Sequence, residues 1–154
     1  MKDVQSHGGT VLEFLGDGML AVFGAPNDIP DHAAQAVKCL QTMTARGCTK
    51  LGFRGGVHSG EVVAGNLGSS MQMKYAVVGD AVNVAARLEQ LNKSLGSTVA
   101  ISGDTYAKLP SDLKKWVNPR GRHLVKGRNQ SVDVYTHGSI PSSVPKRSRR
   151  LSLH

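Results

Sequence analysis

Asn83 and Arg87 stand four residues apart in Gly79-Asp80-Ala81-Val82-Asn83-Val84-Ala85-Ala86-Arg87-Leu88-Glu89, a run whose other positions are largely apolar. Residues at that spacing are neighbours on a helix surface. An amide beside a guanidinium, whose fork of donors matches phosphate oxygens, makes a pair suited to holding ribose or phosphate. The segment therefore reads as half of a nucleotide site. A second chemical feature lies earlier, where Thr10-Val11-Leu12-Glu13-Phe14-Leu15 and Met19-Leu20-Ala21-Val22-Phe23 flank Gly16-Asp17-Gly18. Two β-prone runs around an Asp-Gly turn predict a hairpin with the Asp17 carboxylate at its tip. Most aspartates in such turns only support turn geometry, so Asp17 becomes a metal-ligand candidate through its company.

These residues need elements to carry them, and the pattern predicts an α+β organisation. Strands are expected near residues 10–15 and 18–24. Ala33, Ala36, Val37, Leu40 and Met43 give helical spacing from Asp31 to Arg46, with Pro30-Asp31 suited to the start and Gly47 to the stop. Strands follow at Leu51 to His58 and Glu61 to Leu67, separated by Ser59-Gly60, and Met73 to Val78 feeds directly into a helix from Asp80 to about Leu91. That strand-to-helix step positions Asn83 and Arg87. Beyond it, Thr98 to Ile101 reads as a strand and Gly103 to Leu109 as a short helix. Trp116-Val117, Leu124-Val125 and Val132–Val134 read as closing strands around turns at Gly121 and Gly127. No repeat or long heptad is visible.

Composition bounds the function classes. The 154 residues, 40% hydrophobic, suffice for one core and one domain. Apolar runs are interrupted well before membrane-spanning length and no signal peptide opens the chain, so a cytoplasmic protein without membrane insertion is expected. Cys39 and Cys48 form neither a metal cluster nor a disulfide framework and read as reduced thiols. The net charge of +8 suggests nucleic acid at first sight. Its distribution argues otherwise, because Lys146, Arg147, Arg149 and Arg150 lie in residues 138–154, a stretch with no acid. The Ser/Pro/Gly-rich lead into that cluster predicts a basic, disordered tail after a domain spanning 1–137. Three Phe, three Tyr and one Trp are too few for an aromatic platform that stacks single strands.

Four blocks taken in order carry a family resemblance: Gly9-Thr10-Val11-Leu12-Glu13-Phe14-Leu15-Gly16-Asp17-Gly18, His58-Ser59-Gly60-Glu61-Val62-Val63-Ala64-Gly65-Asn66, Tyr75-Ala76-Val77-Val78-Gly79-Asp80-Ala81-Val82-Asn83 and Val125-Lys126-Gly127-Arg128. Together they resemble the catalytic domain of class III adenylyl and guanylyl cyclases. The resemblance implies a ferredoxin-like α+β fold that dimerises head to tail, each nucleotide lying between two chains. It further implies that Asp17 holds Mg2+ or Mn2+ in a two-metal site, that Asn83 orients the ribose, that Arg87 stabilises the pentavalent phosphorus, and that Lys126 binds the triphosphate. The implied reaction converts ATP or GTP into a 3′,5′-cyclic nucleotide and pyrophosphate, with a homodimer or a heterodimer with another cyclase domain as the working unit.

In adenylyl members a Lys and an Asp or Thr recognise adenine, and in guanylyl members a Glu and a Cys recognise guanine; here Glu13 and Ala76 stand at those positions. A carboxylate accepts from guanine's ring N–H and exocyclic amine, so Glu13 leans towards GTP while Ala76 contributes no polar group. The family domain also opens with a strand and helix that carry the first metal aspartate, whereas this sequence runs from Met1 almost directly into the hairpin. The expectation is a fold lacking that first strand and helix, a metal site short of one carboxylate, and weak or absent turnover by this polypeptide alone. The competing reading is a catalytically inactive cyclase-like module that binds nucleotide or serves regulation by dimerising.

Overall fold

A computed structural model describes residues 2–15, 18–24, 30–45, 54–60, 63–67, 74–78, 80–124, 131–138 and 150–153. The expected hairpin forms from β1 (Thr10–Leu15) and β2 (Gly18–Val22), preceded by the short helix α1 (Lys2–Ser6). Then come α2 (His32–Ala45), β3 (Arg54–Val57), the hairpin strands β4 (Val63–Leu67) and β5 (Lys74–Val78), and α3 (Asp80–Leu95). The chain continues through β6 (Val99–Ser102), α4 (Gly103–Tyr106), α5 (Ser111–Lys114), β7 (Asn118–Leu124), β8 (Ser131–His137) and β9 (Arg150–Leu153). Among the described residues the main sheet runs β1-β2-β9-β3-β6-β8-β7, and β4 and β5 form a separate antiparallel pair. The α+β class is the one expected.

Side-chain alternation along the central strands sets the layers. Val99 and Ile101 of β6 join a core with Ala36, Val37, Leu40 and Met43 of α2, whereas Ala100 between them joins Val84 and Leu88 of α3 and Val132 and Val134 of β8. Helix α2 therefore covers one face of the sheet and α3 the other. The two glycines of β3 show how closely. A Cβ on Gly55 would lie 2.8 Å from a Leu40 methyl of α2, and one on Gly56 would collide with the backbone N of Glu89 and the carbonyl O of Ala85 in α3. Glycine is required at Gly56, where backbone stands in the way, whereas at Gly55 the close atom is the end of a flexible side chain that can give.

Several elements differ from the pattern reading. Helix α3 runs one turn past Leu91 because Asn92 is buried and bonded rather than breaking it, and the helix ends where Gly96 takes φ +66°. The helix expected over 103–109 closes at Tyr106, and α5 follows beyond Pro110. Beyond Gly138 only residues 150–153 of the tail are described. Residues 150–153, expected to be disordered, form β9, pairing in parallel with β2 (Met19↔Leu151) and with β3 (Gly55↔Leu151). Composition reports whether side chains can build a core; it does not report whether two sheet edges stand open to accept a backbone, and β9 satisfies both edges at once. Gly47, Leu51–Phe53, Glu61, Val62, Met73, Val125 and Gly127 lie outside the described residues.

Candidate functional site

Helix α3 carries the two residues on which the sequence argument turned. Ala81, Val84, Ala85 and Leu88 are buried against the sheet, which leaves Asn83 exposed and Arg87 half-buried on the flank that also carries Gln90. The Arg87 guanidinium donates from Nη1 to Gln90 Oε1 at 3.1 Å. An amide and a guanidinium one turn apart on a polar flank are thus presented together, as their spacing predicted.

What holds that flank still is the union of α3 with β3. Beyond the backbone contact at Gly56, Arg54 of β3 pairs with Glu89 of α3 at 3.3 Å, with both side chains at most 4% exposed. Asn92 Nδ2 donates to Gly55 O at 2.9 Å and to Glu89 O at 3.1 Å, while Asn92 Oδ1 accepts from Ser97 Oγ at 2.6 Å. Asn92, buried with both its amide nitrogen and its oxygen hydrogen-bonded, fixes one arrangement and makes alternatives costly.

Glu13 lies exposed on β1. The hairpin register explains why: Val11 pairs with Ala21 and Glu13 with Leu20, so Leu12 is an extra residue and the ladder bulges there. A bulge re-aims the side chains that follow, and Phe14 beside Glu13 is 60% exposed. Ala76 sits in β5 opposite Gly65 of β4, and β5 approaches β1, which brings together the two strands expected to read a base. Asp17 and Lys126 lie outside the described residues. Among the described residues no group of three His, Cys, Asp or Glu side chains gathers as a metal cage. The donor chemistry of a carboxylate with phosphate oxygens is nonetheless the hard oxygen set that Mg2+ and Mn2+ take.

Cys39 is buried in α2, and burial, helped by the negative charge of Asp3, pushes its thiol up from 9.0 to about 12. It carries no chemistry at neutral pH. No described helix is long and apolar enough to cross a membrane.

Sequence reasoning assigned no role to a buried polar cluster at the end of β3. His58 Nδ1 lies 2.8 Å from Ser102 Oγ, Ser59 Oγ lies 3.0 Å from Thr105 Oγ1, and Ser102 Oγ caps α4 by accepting from the Thr105 backbone N–H at 3.3 Å. The local signal was Ser102-Gly103-Asp104-Thr105, whose first residue is a good N-cap. Its partner His58 is 44 positions away and is reached only through the sheet.

Comparison with known proteins adds an independent line. Residues 3–138 match the family described as the adenylate and guanylate cyclase catalytic domain. Adenylate cyclase 1 of Rhizobium meliloti (strain 1021) is 34% identical over 143 residues, which cover 86% of this chain and 21% of that protein. The fold superposes on the guanylyl cyclase Cya2 with a TM-score of 0.69 at 33% identity, covering 92% of this chain and 76% of that one. The guanylate cyclase domain of RhGC from Catenaria anguillulae, solved in complex with GTP, superposes with a TM-score of 0.67 at 27% identity, over 91% of this chain and 78% of that one. The chain spans about a fifth to a quarter of the length of the curated relatives it matches.

Proposed function

Because the chain belongs to the adenylate and guanylate cyclase catalytic domain family, we propose that it forms a 3′,5′-cyclic nucleotide and pyrophosphate from ATP or GTP for intracellular signalling. The observation that carries this reading is the shared polar flank of α3, where Asn83 and Arg87 stand together on a helix clamped to β3.

In the proposed reaction the ribose 3′-hydroxyl gives up its proton to solvent as its oxygen bonds to the α-phosphorus, the bond from that phosphorus to the bridging oxygen breaks, and pyrophosphate leaves. Negative charge accumulates at phosphorus as this happens. A guanidinium aimed at those oxygens stabilises the transition state more than the ground state, and this is the role of Arg87. Asn83 holds the ribose so that attack is in line. Lys126 offers a point charge to the triphosphate. Asp17 would hold Mg2+ or Mn2+, which supplies further charge neutralisation. Glu13 reads the base edge with a lean to GTP, and Ala76 leaves the second base position without a polar contact. The unit that acts is a homodimer or a heterodimer with another cyclase domain, Asp17 coming from one chain and Asn83 and Arg87 from the other.

The test is cyclic nucleotide formation from ATP and from GTP with Mg2+ or Mn2+, by the chain alone and with a second cyclase domain added. Arg87→Ala is expected to lower kcat by about 100-fold or more, the usual loss when one donor to a developing oxyanion is removed. Turnover that survives the substitution overturns the mechanism. Nucleotide binding without turnover in every arrangement would mark the chain as a regulatory module instead.

A further inference from the structure

The contacts that join α3 to β3 at Gly56, Glu89 and Asn92 act on the helix from Ala85 onwards. The turn that precedes and includes Asn83 meets a different part of the protein, the extension His58-Ser59-Gly60 beyond β3. There a Cβ on Gly60 would lie 3.1 Å from the Cβ of Ala81 and 3.3 Å from Nε2 of His58, so the imidazole and the first turn of α3 converge over the same side of Gly60 and leave little room for a side chain between them. The far edge of the imidazole is anchored, because Nδ1 lies 2.8 Å from Ser102 Oγ, and both residues are at most 2% exposed. Ser102 Oγ already accepts the Thr105 backbone N–H and lies closer to His58 Nδ1 than to Thr105 Oγ1 at 3.3 Å. Ser102 Oγ thus links the imidazole to the first turn of α4, accepting the Thr105 backbone N–H while standing within hydrogen-bond reach of His58 Nδ1. Ser59 doubles the tether through Thr105 Oγ1 at 3.0 Å, and the Asp104 carboxylate stands 3.9 Å from Nδ1 at the surface.

We propose that His58 is a positioning residue for the nucleotide site, transmitting the fixed position of the β6–α4 junction past Gly60 to the first turn of α3, which presents Asn83. The inference rests on the cyclase reading for its functional consequence but not for its structural one. Donors to a transferring phosphoryl group must sit within a few tenths of an ångström of their oxygens, and a misplacement of about 1 Å can cost roughly 100-fold in rate. A histidine that fixes the first turn of α3 therefore governs kcat without touching substrate.

The experiment compares the full chain with His58→Phe, which fills the space without a hydrogen-bonding group; His58→Asn, which keeps a hydrogen-bonding group near the Nδ1 position; and Ser102→Ala, which removes the partner oxygen. Amide exchange of residues 84–87, whose partners are carbonyls of the first turn, is expected to quicken by about 10-fold or more in His58→Phe and Ser102→Ala, and to stay within about 3-fold of the parent in His58→Asn. Exchange around Asn92 is expected to hold in all three. In the cyclase assay, kcat should fall by about 10-fold or more in the first two with KM within about 2-fold, and recover in His58→Asn. Should His58→Phe fail to fold, Ser102→Ala and His58→Asn decide the matter. Unchanged exchange at 84–87 in Ser102→Ala, or equal slowing at both ends of the helix, overturns the inference whatever the activity. A parent chain that makes no cyclic nucleotide, alone or with a second cyclase domain added, overturns the cyclase reading and leaves the exchange result standing.

Discussion

A single carboxylate on an exposed strand can choose between two purines because guanine offers it two N–H donors where adenine presents an unprotonated ring nitrogen. Glu13 has the exposure this needs, and Glu13→Lys reverses the polarity of the contact. The ratio of kcat/KM for ATP to that for GTP is expected to rise by about 10-fold or more, since a site built to bond one edge strongly rejects the other. An unchanged ratio would remove Glu13 from base reading. Cys39 makes the opposite kind of prediction. Its thiol is raised from 9.0 to about 12 by burial, so it should resist alkylation in the native protein at pH 8 and react once urea unfolds the chain, as mass mapping would show. The same shift means the neutral thiol contributes stability fully below about pH 9, a contribution lost as the pH rises from there towards 12. At this scale Asn83 and Arg87 were legible because their relation is local, four residues along one helix. The bulge at Leu12 just before Glu13 was not, because it shows only once β2 is in register. The tie between His58 and Ser102 was hidden for the same reason: its two halves meet only after the sheet has formed.

At the scale of elements, the site depends on how tightly one helix is pressed to one strand. Gly56 is the closest point, where any side chain would strike the backbone of α3 at Ala85 and Glu89. Gly56→Ala is therefore expected to cost about 3 kcal/mol, the upper end of overpacking penalties, because backbone rather than a flexible side chain must move. The shift in denaturation midpoint measures it. The displaced helix should also lower kcat by more than any loss of folded fraction explains, and a variant of parental stability would refute the contact. The elements themselves were largely readable. The hairpin followed from an Asp-Gly turn between β-prone runs, and α2 followed from apolar residues at helical spacing. The end of α3 was missed by one turn because a buried Asn92, which propensity counts against a helix, finds its partners in Gly55 of the neighbouring strand and Ser97 beyond the helix. Strand β9 was missed because a tail rich in Ser, Pro and Arg gives no pattern of burial, and its place is set by the facing edges of β2 and β3.

For the molecule as a whole, the chemistry proposed here requires an acidic tip and a basic helix flank to meet across two chains. Phe14, exposed beside Glu13 on the edge strand, adds an apolar surface that a second domain would cover. In the proposed homodimer, two-fold symmetry would give two equivalent sites, each taking Asp17 from one chain and Arg87 from the other. This arrangement has an arithmetic consequence. Asp17→Ala and Arg87→Ala homodimers each carry two damaged sites. In a heterodimer of the two variants, one site collects both substitutions and the other collects neither. When equal amounts are unfolded together and refolded, half the dimers are mixed and each has one sound site of two, so the mixture should recover about a quarter of parental activity. If both residues served the same site from one chain, every site in the mixture would remain damaged and no activity would return. The assay of the refolded mixture thus separates a shared site from a self-contained one, and it does so whichever purine nucleotide is the substrate.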